Sequence, residues 1–163
     1  MRGVFCTPTT KKPMLSHKAQ YAFRALTLLV DKYQKGPILI TEIADAKNIP
    51  IKFLERILLE LKNAGVLESK KGKGGGYSLR YDPSTTSIAK VIRTVDGPIA
   101  MLPCVSLYFY AKCKNCDEMN CGLHDIMLSV RDATLQIVEN KTLQDLVTGS
   151  EELKKIQKST KRV

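Results

Sequence analysis

Four cysteines and a histidine crowd into one short window, Cys104, Cys113, Cys116, Cys121 and His124, spaced C-x(8)-C-x(2)-C-x(4)-C-x(2)-H. Thiolate and imidazole are soft donors, suited to iron–sulfur clusters and to zinc. Lys112, Lys114 and Asn115 stand among them, which argues against burial of these sulfurs as plain apolar filler. Three chemistries stay open on the residues alone: an iron–sulfur cluster of the 2Fe-2S or 4Fe-4S kind, a zinc site, and a thiol–disulfide switch. Five donors exceed a four-ligand site by one, and His124 or Cys113 is the first to hold back. His124 also reads simply as a residue on the face of a helix. Cys6 lies far upstream and reads as a bystander, and His17 as a surface residue.

A second constellation lies in the first half of the chain. Lys52, Phe53, Glu55 and Arg56 open a helical stretch, and Lys70, Lys71, Lys73, Gly74 and Gly75 fall in a basic glycine run. A helix fits the major groove of duplex DNA, where Lys and Arg donate to guanine or phosphate and Glu accepts from the amino group of cytosine. Glycines let a backbone approach closely, and lysines among them neutralise phosphates or enter a narrow minor groove. The same run is not a nucleotide-binding loop. That loop needs Gly-Lys-Ser/Thr opening a helix, and here Gly76 leads into Tyr77 and a strand-like alternation.

The elements that must position these residues follow from periodicity and turn chemistry. Tyr21, Ala22, Ala25, Leu28 and Leu29 predict a helix over Lys18–Tyr33, ended by Gly36-Pro37. Thr41 is the expected N-cap of a short helix beginning at Glu42. Asn48-Ile49-Pro50 forms a tight corner. A second helix starts at Pro50 or Ile51, with Phe53, Leu54, Ile57, Leu58 and Leu61 assigned to packing, and stops at Ala64-Gly65. Two strand-like runs, Val66–Lys70 and Tyr77–Tyr81, flank the glycine turn as a β-hairpin. Ile88–Val95 is a short helix, residues 99–121 are irregular, and a long helix begins at Gly122, followed by a last short one over Thr142–Val147. Leu123, Ile126, Met127, Val130, Ala133, Ile137 and Val138 make an apolar stripe that one small domain cannot easily cover, so a second copy is expected on it.

Helix, short helix, corner, helix and hairpin is the order of a winged helix-turn-helix. The fold class expected is mainly α with a small β-hairpin wing, completed by a long dimerisation helix. The expected organisation is a leader over 1–13 that reads as disordered, a DNA-binding domain over 14–82, a short helix and cysteine-rich sensor loop over 83–121, the dimerisation and C-terminal helices over 122–150, and a basic tail over 151–163. Met14 is an alternative natural start.

Charge supports this division. The chain of 163 residues has a net charge of +10. Residues 1–82 carry 15 basic and 7 acidic side chains, residues 83–152 carry 6 and 9, and the last eleven carry 5 and none. A polyanion-binding surface therefore belongs in the first half, and the basic tail reads as a solvated end. The longest apolar stretch, Ala25–Val30, is too short to span a bilayer, and the start lacks a secretion signal, so the expected compartment is the cytoplasm, with no membrane partner. Two histidines and no paired carboxylates speak against an enzyme. The rivals are a thiol oxidoreductase using Cys113-x-x-Cys116 and a zinc-stapled interaction module.

Leu15-Ser16 with Tyr21-Ala22 and Ala25-Leu26, Ile43-Ala44, Phe53-Leu54-Glu55, Leu61-Lys62-Asn63-Ala64-Gly65 and Gly72-Lys73-Gly74-Gly75-Gly76-Tyr77-Ser78-Leu79 resemble the Rrf-two family of bacterial repressors, over about Met14 to Val147. The family includes an iron–sulfur cluster regulator, a nitric-oxide sensor and a cysteine-metabolism regulator. The resemblance implies a homodimer on a near-palindromic double-stranded operator, with Glu55 and its helix neighbours reading bases and the Gly72–Gly76 wing following the backbone. It implies three cluster-binding cysteines and, in one branch, a His three residues after the last. Cys104, Cys121 and His124 match those places. The chain departs in having Lys73 where many members have Pro, and in a longer loop that holds both Cys113 and Cys116.

Overall fold

The computed structural model describes residues 15–114 and 117–149. The expected leader and basic tail, together with Cys6 and Cys116, lie outside the described residues.

The first helix, α1 (His17–Asp31), is capped by Ser16, whose side chain accepts from the Ala19 amide at 3.1 Å. Its buried residues Ala19, Ala22, Ala25, Leu26 and Leu29 recur at helical spacing and face the core. The short helix α2 (Ile40–Lys47) starts earlier than expected. Its N-cap is Leu39, with no side-chain cap, and Thr41 sits inside the first turn, so the expectation of a Thr41 cap is corrected. The reason lies upstream. Ile38 is tied into the hairpin by two backbone hydrogen bonds with Tyr77, of 2.9 and 2.8 Å, and the chain passes from that anchor straight into the helix. Asn48 ends α2 in the left-handed conformation at φ 49°, which a short polar side chain tolerates, and this makes the corner.

Helix α3 (Ile51–Asn63) buries Leu54, Ile57, Leu58 and Leu61, a stripe worth about 1.5–3 kcal/mol per side chain. Gly65 closes it at φ 71°, with Gly65 N–H donating to Lys62 and Val66 N–H to Leu61, both at 2.9 Å. Such paired bonds satisfy carbonyls that a helix end leaves open, and they turn the chain into the hairpin. Strands β1 (Leu67–Lys70) and β2 (Gly76–Leu79) pair antiparallel, Leu67 opposite Leu79 and Lys70 opposite Gly76. Gly76 admits no side chain, because a Cβ there would lie 2.2 Å from the Ile38 carbonyl oxygen.

Helix α4 (Ile88–Val95) packs on α1 and α3, and the long helix α5 (Gly122–Asn140) runs beside α4. The chain then returns. Leu143 N–H donates to Thr86 at 3.0 Å, and Leu143 is wholly buried in the same core as α1, α2 and α3. Residues 143–149 are helical, as expected. The result is mainly helical with a two-stranded antiparallel hairpin.

Candidate nucleic-acid interface and sulfur pocket

The first turns of α3 present Lys52, Glu55 and Arg56 to solvent. Phe53 is placed differently from the packing role the periodicity suggested. It is 62% exposed and stands with the charged residues, while its neighbour Leu54 is fully buried. The α3 stripe runs through Leu54, Ile57, Leu58 and Leu61, and Phe53 falls just off it. Among the described residues Arg56 makes one loose ion pair, to Glu60 at 3.4 Å, and its side chain is 81% exposed, so its guanidinium is available for a further partner. Glu60 is held more firmly by Lys18 of α1, at 2.5 Å, which ties the last turn of α3 to α1.

The wing tip, residues 71–74, is exposed, with Lys71 and Lys73 outward and Lys70 exposed at the end of β1. Gly72 and Gly74 have φ of 89° and 76°, a conformation that glycine adopts freely. Gly75 is buried against the turn, where a Cβ would stand 2.4 Å from the Lys70 carbonyl oxygen. Gly75 therefore shapes the tip from inside, and the lysines are the groups able to meet a phosphate. The strand-like stretch at Ile38 was missed from sequence. The apolar run Ile38-Leu39-Ile40 after Gly36-Pro37 was its signal, and its effect is to dock the wing onto the start of α2.

Downstream, Cys104, Cys113, Cys121 and His124 line one cavity of about 340 Å³, with Lys112 and Leu123. Cys104 sits in a 3-10 turn, Pro103–Val105, that α5 clasps: the Arg131 guanidinium donates to the Val105 carbonyl at 2.7 Å. Ala111 N–H donates back to Pro103 at 3.2 Å, closing the long loop and returning the chain toward Cys104. A second 3-10 turn, Glu118–Asn120, precedes Cys121, the N-cap residue of α5. Its Glu118 side chain accepts from the Cys113 amide at 3.2 Å and from the Tyr110 hydroxyl at 3.0 Å. That hydrogen bond from Tyr110 to the Glu118 carboxylate, with a smaller desolvation effect and the carboxylate's negative charge, holds the phenol above its ordinary value. His124 lies near Asp125, at 3.4 Å. The structure thus brings together four of the five expected donors. The fifth, Cys116, lies outside the described residues, and among the described residues no three donors converge tightly enough to grip a single ion.

The loop is also tied to the body. Arg93 of α4 stacks on Tyr108, 5.0 Å from the ring centre, and forms an ion pair with Glu139 of α5. Neither this contact nor the role of Glu118 was legible beforehand, since nothing in the spacing of isolated charged and aromatic residues marks them as partners. Along α5 the outward residues Leu123, Ile126 and Ile137 are 57%, 59% and 64% exposed, and Leu135 is the buried one.

Comparison with known proteins places this geometry. The Rrf2 family, described as an iron-dependent transcriptional regulator, matches residues 15–149. An rrf2-like HTH-type regulator of Rhodobacter capsulatus is 39% identical over 140 residues, covering 83% of this chain and 93% of that protein. The HTH-type transcriptional regulator IscR of Escherichia coli is 28% identical over 139 residues, covering 85% of this chain and 83% of that protein. The structure of CymR, the global cysteine regulator of Bacillus subtilis, superposes with a TM-score of 0.69 at 26% identity, over 83% of this chain and 97% of the other. No helix among the described residues is long and apolar enough to cross a membrane. With the family matching residues 15–149 and a relative 39% identical over most of both chains, the protein belongs to the Rrf2 family of helix-turn-helix transcriptional regulators.

Proposed function

We propose that the chain works as a homodimeric DNA-binding repressor whose grip on a near-palindromic operator is set by the sulfur pocket. The observation that carries this reading is the gathering of Cys104, Cys113, Cys121 and His124 around one cavity at the mouth of α5, the helix with the uncovered apolar stripe. Three thiols and an imidazole fit an iron–sulfur cluster by donor chemistry, and Cys116 stands in the same loop as a further sulfur. A bound cluster would supply sensitivity to iron and to oxidants. The chain's own residues do the rest. The donors line the cavity without converging on a point, so ligation would draw the loop in and fix the turn that Arg131 holds against α5. Arg93 would carry that order to α4, which packs on α1 and α3.

In the reading head, Lys52, Phe53, Glu55 and Arg56 would enter the major groove, Glu55 and Arg56 meeting base edges and Phe53 the apolar edge of a base. Lys70, Lys71 and Lys73, around Gly74 and Gly75, would follow the backbone. Two heads related by a two-fold axis through α5 would sit about 34 Å apart, one turn of DNA. A cavity of about 390 Å³ beside Val130, lined by Ile92, Ile99 and Met101 together with Asp96 and Arg131, offers a socket for side chains of the second copy. An affinity change of about 1–3 kcal/mol between loaded and empty states would suffice to switch the operator.

The test is anaerobic purification with absorbance and iron and sulfide analysis. Visible absorbance with iron and acid-labile sulfide supports the cluster. A colourless protein loaded with zinc overturns it and leaves the zinc-stapled regulator. A colourless, metal-free protein whose operator binding changes on thiol oxidation leaves the redox switch instead.

A further inference from the structure

We propose that Glu118 is a positioning residue of the sulfur pocket, the hub that brings Cys113 and Cys121 to the same cavity. The inference rests on the reading of these cysteines as ligands of a soft metal centre. Its bonds to three partners carry it. The Glu118 carboxylate accepts from the Cys113 amide at 3.2 Å. The same carboxylate accepts from the Tyr110 hydroxyl through both oxygens, at 3.2 and 3.0 Å. The Glu118 backbone carbonyl accepts from the Cys121 amide at 3.4 Å. Its side chain therefore grips the chain at Tyr110 and at Cys113, and its backbone closes the 3-10 turn that leads into Cys121.

The geometry separates positioning from ligation. Glu118 does not line the cavity that Cys104, Cys113, Cys121 and His124 share. Its carboxylate is turned to a backbone amide and a phenol instead. Such an arrangement orients ligands and gives an irregular loop one arrangement out of many, at the entropic cost that any ordered loop bears. It also answers a need particular to this chain, in which eight residues separate Cys104 from Cys113. The Ala111 bond to Pro103 closes that loop at its base, and Glu118 holds the residues on either side of Ala111, Tyr110 and Cys113.

The experiment uses the full chain with Glu118→Ala and Glu118→Gln, prepared reduced and without metal. Cobalt(II) titration, read by sulfur-to-cobalt charge-transfer absorption, gives the affinity of the thiolate site. The alkylation rate of Cys113 by iodoacetamide, followed by peptide mass spectrometry, reads the latch without any metal. Gln keeps a side-chain acceptor for the Cys113 amide, and Ala keeps none. The expected result is a cobalt affinity about tenfold weaker in Glu118→Ala, as loss of a supporting partner of a ligand typically brings, with faster Cys113 alkylation. Glu118→Gln restores both, with an unchanged cobalt spectrum. Wild-type values for both readouts in Glu118→Ala overturn the proposal. So does an equal loss in Gln and Ala with a changed cobalt spectrum, because that marks the carboxylate as a ligand. Failure of the wild type to take cobalt through its thiolates counts against the metal reading alone. The alkylation rates then decide the latch: faster in Ala than in Gln and wild type upholds it, and equal rates overturn it.

Discussion

The reading head and the sulfur-loop-and-α5 region are built on opposite principles. In the head, Leu26, Ile43, Leu54, Ile57, Leu58 and Leu61 are each at most 1% exposed, and α1, α2, α3 and the hairpin all converge on them. Downstream, Val105 and Leu135 are the chief buried apolar residues, while Leu107, Tyr108, Phe109, Tyr110, Leu123, Ile126 and Ile137 stand more than half exposed. The loop is held by directional contacts, Arg93 on Tyr108, Glu118 on Cys113 and Arg131 on Val105, rather than by packed area. A close-packed core has one arrangement, and a few polar contacts permit several. The head is thus a fixed tool, and the downstream region is the part able to change state on gaining a ligand or a partner.

The largest expected effects set these principles against each other. Leu58→Ala, at a wholly buried site, should lower stability by about 2–5 kcal/mol, measured by urea unfolding followed by circular dichroism. Ile126→Asp, at a site 59% exposed, should leave the single chain folded but split the proposed dimer in sedimentation experiments. Operator affinity should then fall by on the order of 100-fold, as two linked heads become two separate ones. A variant that remains a dimer would show that the α5 stripe is not the seam.

The same contrast explains what could be read from residues alone. The head was legible because burial imposes periodicity: Leu54, Ile57, Leu58 and Leu61 mark α3, and Gly65 marks its end. The helices at Ile88–Val95 and from Gly122 were legible for the same reason. Phe53 was misassigned to packing because periodicity is blind to a residue that lies at the edge of a stripe, and Thr41 was misassigned to a cap because the Ile38–Tyr77 pairing is non-local. The cysteines were legible as chemistry but not as geometry. Cys104 and Cys121 lie seventeen positions apart, and what joins them is a set of contacts through Ala111, Glu118 and Arg131 that no spacing rule encodes.

Within the head, the wing and α3 should fail differently. Lys71→Glu with Lys73→Glu should weaken binding to every duplex and make the slope of log affinity against log salt shallower by about 2, the share of two phosphate contacts. Filter binding from low to moderate salt reads this slope, and an unchanged slope would place the wing off the backbone. Glu55→Ala should cost about 1–3 kcal/mol on the preferred operator and much less on a site altered at the base pair it reads. Competition binding with single-position operator variants reads this difference. A uniform loss on all variants would assign Glu55 to backbone positioning.

The smallest effect concerns the point where the C-terminal helix returns to the head. The Asp145 carboxylate accepts from the Thr142 hydroxyl at 2.7 Å and from the Thr142 amide at 2.8 Å, closing the first turn of residues 143–149. The hydroxyl bond, then the amide bond, holds the Asp145 carboxyl below its ordinary value, with Lys141 adding to this and desolvation opposing it. A carboxyl depressed in the folded state contributes stability that is present above its unfolded value, about 3.9, and is lost as pH falls through the folded value. Asp145→Asn should therefore destabilise slightly at neutral pH, and its difference from the wild type should shrink as the solution is taken below about pH 4. Thermal unfolding across that range reads the difference. A gap that stays constant with pH would mean that Asp145 supports the turn by shape rather than by charge, and that the returning helix is held by Leu143 in the core.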